Sequence, residues 1–501
     1  MPITFTQPEV SVESAYHHAA AASQNDAVAE EAAEQLHDCL STVSDIKRIL
    51  LKAAAGAGKS YALKRLVAEA TEHQGCLRVA VIAFQNRQLW PLASELGEAL
   101  GRDKVCLFSS KAAYDDVPAD VHRFAHVVTS APSIPQDCSV VISTSHRLGA
   151  IGEKARLEEH LGLGVNGETP FDVLFVDEAW QLAHHLFDKV EGIAPIVVGV
   201  GDVGQRPPIE IGSNPWRGDP GYNPYRAWPN DYVDDPETWA AELPAVWRPT
   251  AEQLPLWRAF YPEWGELNCV AAPGDRSIAL NDMPESAAAI WEQVATGDPV
   301  LLEVDGLAPA EAADVDLPLM EFVEDLLDEL LTAGFALNKA EYDPNGAPNG
   351  LQERQQPGDD GQDQLIAILA TRNQAVDDAA DAAERLRDKH GLSENDIRSS
   401  TVDSWQGQTN GITVAVHPLT GASQLDEFNS AFGRLAVTCT RATHGLLVVS
   451  RPGLDELLAD APARPGTPFG EPGNRHLPRQ THQRILATFA RGRLTLSPST
   501  L

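Results

Sequence analysis

The chain has 501 residues, 43% of them hydrophobic and 22% charged, and a formal net charge of −34. This length exceeds the size at which one hydrophobic core stops growing, so two domains plus insertions are expected, and the composition excludes a fibrous or wholly disordered protein. Such a negative balance argues against a surface that grips a polyanion all over, although a local groove can be basic on an acidic body.

From the N-terminus, MPITFTQPEVSVESAYHHAAAASQND has no basic region followed by an apolar stretch, and no later run approaches the roughly 18 apolar residues that span a bilayer. The expectation is a soluble, cytoplasmic protein with no membrane partner. Residues 13 to 45, rich in alanine and glutamate, predict a helical N-terminal segment (1–45). Short apolar runs then alternate with helical patterns: Ile49-Leu50-Leu51, Val79 to Ala83, Val140 to Ile142, Val173 to Val176 and Ile196 to Val200. Buried strands of this length, each followed by polar loops and helices, predict a mostly parallel α/β domain over 46–205.

Residues 206–264 change character, with Trp216, Trp228, Trp239, Trp247, Trp257 and Trp264 set among prolines, and are read as a bridging insertion. A second α/β pattern over 265–455 follows, with apolar runs at Pro299 to Val304, Leu365 to Ala370, Ile412 to Val416 and Leu446 to Ser450, and helices over 317 to 333 and 373 to 389. Within it the acidic stretch 343–364 reads as an exposed loop, and the Pro-rich basic tail 456–501 as a solvated end. The six cysteines are scattered without any CxxC pair, which fits reduced thiols, and the adjacent His184 and His185 would point to different helix faces rather than share one ion.

Three segments carry chemistry. AAAGAGKS, from Ala53 to Ser60, lies between a predicted strand and a predicted helix and reads as a phosphate-binding P-loop. Small residues at Gly56, Ala57 and Gly58 let backbone N–H groups meet phosphate oxygens, and a helix N-terminus adds partial positive charge. Lys59 would reach the β- and γ-phosphates, Ser60 would ligate Mg²⁺, and Tyr61 follows them on the nucleotide-binding helix. Ala53 departs from the glycine expected at the first position. VLFVDEAWQ places Asp177 and Glu178 at the end of an apolar strand, where the first would hold Mg²⁺ through water and the second would orient and deprotonate an attacking water. In VVGVGDVGQRPP, Gly201, Asp202 and Gln205 follow the next strand, and an amide such as Gln205 can both donate to and accept from a γ-phosphate.

The order GKS, DEAWQ, GDxxQ, TVDSWQGQ (Thr401 to Gln408) and RLAVTCTRA (Arg434 to Ala442) resembles the motif series of superfamily 1 helicases, in particular the branch of the nonsense-mediated-decay RNA helicase, here as a shortened member of prokaryotic type. The resemblance implies two tandem RecA-like P-loop NTPase domains with mostly parallel sheets, with ATP hydrolysed between them. It implies Arg441 as an arginine finger, Arg248 of VWRPT as a second arginine near the γ-phosphate, Arg372 at the fourth motif, Gly407 in the loop facing nucleotide and strand, and Gln24 as the reader of adenine. Thr409 departs from the family, which usually has glutamate there. Strand contacts are expected from Phe84 to Arg87 and from Ser143 to Arg147, whereas the tryptophans, including Trp405, read as core.

The resulting expectation is an ATP- and Mg²⁺-dependent helicase or translocase on single-stranded nucleic acid, with DNA favoured over RNA and protein partners on the acidic surface. The alternative is a P-loop switch or assembly ATPase, for example in defence against mobile DNA, that does not unwind.

Overall fold

The computed structural model describes residues 3–12, 14–204, 223–262, 264, 266–312, 315–359, 364–371, 373–402, 404–405, 408–425, 432–461 and 478–496. Internal contacts divide the chain into two compact units. Gln24–Leu243 forms the body of the first, and the second is built from Met1–Ser23 and most of the chain beyond Pro244.

The first unit is one eight-stranded sheet of β1 (Arg48–Ala53), β2 (Val79–Ala83), β3 (Val105–Phe108), β4 (His126–Val128), β5 (Val140–Thr144), β6 (Val173–Asp177), β7 (Ile196–Gly201) and β8 (Thr238–Leu243). Their order in space is β4-β3-β5-β2-β6-β7-β1-β8, and every neighbouring pair is parallel. Parallel strands need crossovers, and the helices that supply them cover the sheet's faces, so β2, β6 and β7 are buried along their whole length and read as unbroken apolar runs. With β7 between β1 and β6 and β8 on the far side of β1, this is a RecA-like core extended at one edge by β5, β3 and β4.

Alternation of the apolar stripe explains the helices. In α1 (His18–Leu40), Ala29, Ala33, Leu36 and Leu40 recur at three- and four-residue spacing and are buried. In α2 (Lys59–Glu72), Ala62, Leu63, Leu66, Val67 and Ala70 form the same kind of stripe. Each fully buried aliphatic side chain contributes roughly 1.5–3 kcal/mol through removal from water.

The second unit holds β9 (Ala245–Val246), β10 (Asn268–Cys269), β11 (Arg276–Leu280), β12 (Val300–Asp305), β13 (Phe335–Tyr342), β14 (Pro348–Gln355), β15 (Gln364–Ala370), β16 (Ile397–Thr401), β17 (Asn410–Val416), β18 (Ala442–Ser450) and β19 (Ala490–Thr495). Six of them make a parallel sheet in the order β16-β15-β17-β18-β12-β19, the second RecA-like domain, and β11, β13 and β14 make a separate antiparallel sheet. The helices Leu317–Ala333 and Asn373–His390 fall where the periodicity places them.

Three expectations change. The stretch read as an acidic loop supplies β14, which pairs with β13 while its side chains stay in solvent, so its polarity hid a strand. The segment read as a solvated tail supplies β19, which lies in register with β12. The bridging segment supplies β8 to the first sheet, beside β1. No helix among the described residues is long and apolar enough to cross a membrane.

Gly199 shows how tightly the first core is packed. A β-carbon there would lie 2.9 Å from the buried Trp228 ring, itself stacked on Phe187 at 4.0 Å, and 3.0 Å from Leu50. Gly199→Ala is expected to destabilise the first unit by about 1–3 kcal/mol through overpacking, read as a lower urea midpoint at unchanged slope.

Candidate functional site

The parallel register brings the ends of β1, β6 and β7 to one edge, with Lys52 beside Gly201 and Asp177 beside Val200. Between β1 and α2 the chain turns through Ala54 to Gly58. Gly56 (φ 75°) and Gly58 (φ 90°) are left-handed, a conformation that glycine adopts without a β-carbon clash, and the Ala57 N–H donates to the Ala54 carbonyl at 3.0 Å. Ala53 is the last residue of β1, buried and paired with Leu243, so the position that departs from the glycine pattern is an extended one that alanine fills without strain. Ser60 and Tyr61 are exposed at the start of α2.

Beneath this turn Lys59 donates a hydrogen bond to Glu178 Oε1 and lies 3.9 Å from Asp177 Oδ1. The side chains of Lys59, Asp177 and Glu178 are only 16%, 12% and 9% exposed, so solvent screens these charges poorly. Burial pulls the Lys59 ammonium down, but Glu178, Asp177 and the neighbouring Asp202 outweigh it and hold the group above its ordinary value. Burial pushes the Asp177 carboxyl up to about 6; Lys59 opposes that rise and Glu178 adds to it.

Glu178 itself has φ 52° and ψ 44°, a left-handed backbone that a glutamate adopts at a cost of roughly 1–3 kcal/mol and that recurs at functional sites. Its N–H donates to Asp177 Oδ1 at 2.9 Å, and Gln181 Nε2 donates to its Oε2 at 3.0 Å, so both ends of the residue are fixed. Gly201 makes room for this turn, because a β-carbon there would lie 2.8 Å from the Ala179 nitrogen and 2.9 Å from the Trp180 ring. One ammonium among three carboxylates leaves an excess of negative charge, while no group of three or more His, Cys, Asp or Glu side chains among the described residues converges to hold a metal by itself.

Asn25 is a member of the site that motif reading missed. Its side chain, 7% exposed, donates through Nδ2 to the Ala57 carbonyl at 2.8 Å and braces the turn from α1. The available signal was a polar residue on an otherwise alanine and leucine stripe. Gln24, the expected adenine reader, is its half-buried neighbour on α1. Gln205, Arg372 and Gly407 lie outside the described residues, as do Trp216 and Tyr222.

Arg248 and Arg441 belong to the second unit, where Arg248 bonds the residue before Arg441. Arg248 donates through Nη1 to the Thr440 carbonyl at 3.0 Å and through Nε to Thr409 Oγ1 at 3.1 Å. Arg441, 1% exposed, donates through Nε to the Val437 carbonyl at 3.1 Å. Arg276 donates to the carbonyls of Trp247 and Arg248 and fixes the backbone that carries Arg248.

The expected strand contacts divide. Phe84 lies against His146, ring centroids 5.6 Å apart, with His146, Gln85 and Arg87 exposed. Ser143 instead bonds the Phe108 carbonyl, Ser145 is buried, and Arg147 is held by Glu153, by the Thr129 carbonyl and over the Phe108 ring. Ser143 and Arg147 are turned into the fold by partners elsewhere in the sequence. Trp405 is core, donating to Asn410 Oδ1 at 3.1 Å, and Trp228 and Trp257 are fully buried. His184 turns to Asp188 and Asp231, whereas His185 turns to the Pro224 carbonyl.

A glycine turn onto a helix, a buried lysine and paired carboxylates on the adjoining strand ends define a P-loop nucleotide-binding domain. Comparison with known proteins fits that class: residues 30–216 match a family described as an AAA domain. No curated protein matches the chain. Among solved structures it is similar to the PRRSV helicase (14% identity, TM-score 0.36, covering 84% of this chain and 56% of that one). It is also similar to the Escherichia coli DEAH/RHA helicase HrpB (10% identity, TM-score 0.38, covering 85% and 43%). The chain thus spans about half the length of these two structures.

Two outcomes are expected from nucleotide titrations. Asn25→Ala should weaken nucleotide binding about 5- to 10-fold, the worth of one hydrogen bond to the turn, with the fold intact by circular dichroism. Glu178→Gln should raise affinity for magnesium-free nucleotide severalfold, because Lys59 then leaves a neutral amide rather than a carboxylate when it turns to phosphate.

Proposed function

We propose that the chain is an ATP hydrolase of superfamily 1 helicase type that moves along single-stranded nucleic acid. The observation that carries this reading is the buried cluster of Lys59, Asp177, Glu178 and Asp202 beneath the Gly56–Gly58 turn. The turn receives the phosphates through its N–H groups, and Lys59 exchanges Glu178 for the β- and γ-phosphates. Glu178, released from Lys59, accepts the proton of the attacking water, and its backbone and Gln181 keep the carboxylate oriented. Ser60 and Asp177 would hold Mg²⁺, which would draw charge from the phosphoryl oxygens. Arg441 and Arg248 supply positive charge to the transferring group in the ATP-bound state, where planar guanidinium donors are worth most. Phe84, Gln85, Arg87 and His146 are the exposed groups of the first unit proposed to meet the strand, the aromatic pair through bases and the others through phosphates.

The net charge of −34 favours a second reading, a P-loop switch that hydrolyses ATP without a nucleic-acid track. The two separate cleanly in one assay. Under the motor reading, ATPase activity measured with and without single-stranded DNA and RNA rises at least tenfold with one polymer, and both Lys59→Ala and Arg441→Ala abolish it. Hydrolysis that depends on Lys59 but ignores every polymer would establish the switch instead.

A further inference from the structure

Resting on the ATPase reading above, we infer that Thr409 is the positioning residue for Arg248 and ties that arginine to the loop after β16. Arg248 is fixed by two bonds from different nitrogens, to Thr409 Oγ1 at 3.1 Å and to the Thr440 carbonyl at 3.0 Å. Two attachments set the orientation of a planar group, where one would leave it free to swing. These two acceptors, a hydroxyl and a backbone carbonyl, hold the guanidinium from two sides.

The attachments close a circuit. Trp405 Nε1 donates to Asn410 Oδ1 at 3.1 Å, and the Asn410 N–H donates to the Arg441 carbonyl at 3.1 Å. Thr440, one residue before Arg441, accepts from Arg248, and Arg248 returns to Thr409. The end of the loop, both arginines and the start of β17 are therefore linked through hydrogen bonds whose partners are mostly buried. Within this circuit Thr409 supplies a hydroxyl from the loop itself, so a displacement of Thr409 reaches Arg248 through that side chain.

The test uses the full chain and steady-state ATPase kinetics with the stimulating polymer. Thr409→Val removes the hydroxyl at constant shape and is expected to lower kcat about tenfold with the ATP KM within twofold, whereas Thr409→Ser regains most of the rate. In an Arg248→Ala background Thr409→Val should add no further loss, because the threonine acts through that arginine. Thermal melts confirm that each variant is folded. The role is overturned if Thr409→Val matches the wild type, if serine fails to rescue, or if the two losses multiply in the double variant. A wild-type chain without ATPase activity would instead overturn the underlying function, an outcome read in the same assay before any variant is compared.

Discussion

A lysine held away from water needs negative charge around it, and the arrangement of the first unit follows from meeting that need at one sheet edge. Lys59 starts α2, and its counter-charges come from the ends of β6 and β7, which the parallel register aligns with β1. The turn before Lys59 must be glycine-rich to reach that edge. Gly201 must lack a β-carbon for the Glu178 turn to close over it, and Asn25 must leave the apolar stripe of α1 to brace the turn. The arrangement is expensive at rest, since buried charges cost solvation energy that their partners only partly return. Under the proposed function phosphate would relieve that cost by drawing Lys59 away, which would make the resting ion pair a competitor of the ligand.

Much of this was legible from residues. Strands buried on both faces are apolar without interruption, which is why β2, β6, β7, β15 and β17 stand out in the sequence. Edge strands lack that pattern: β4 is only half-buried, β14 is exposed along its length, and β8 and β19 alternate irregularly. Their pairing is decided by distant partners, and no local rule reveals it. The same limit applies in the site. Lys59, Asp177 and Glu178 were recognisable because chemistry restricts both residue type and spacing. Asn25 and Thr409 act through single hydrogen bonds across the fold, and Ser143 and Arg147 lose their expected exposure for the same kind of reason.

The second unit presents a different electrostatic problem. Its arginines are placed by backbone carbonyls and a hydroxyl, with Arg441 on the Val437 carbonyl at the end of its helix and Arg248 on Thr440 and Thr409. Carbonyl oxygens at a helix C-terminus carry partial negative charge, which orients a guanidinium. Where the first unit surrounds one cation with carboxylates, the second holds its two arginines in part through backbone carbonyls and a hydroxyl. The contrast matches their proposed roles, one giving up its partners to a ligand and the other presenting charge to it.

The backbone of Glu178 sets stability and activity against each other. A left-handed φ of 52° suits glycine or asparagine better than glutamate, and with Asp177 and Asp202 still facing Lys59, either replacement would leave the cation compensated while relaxing the turn. A library selected only for resistance to heat should therefore collect glycine or asparagine at this position, discarding the carboxylate proposed above to accept a proton. Thermal robustness in such variants would be a marker of lost chemistry, and the glutamate survives only where turnover itself is under selection.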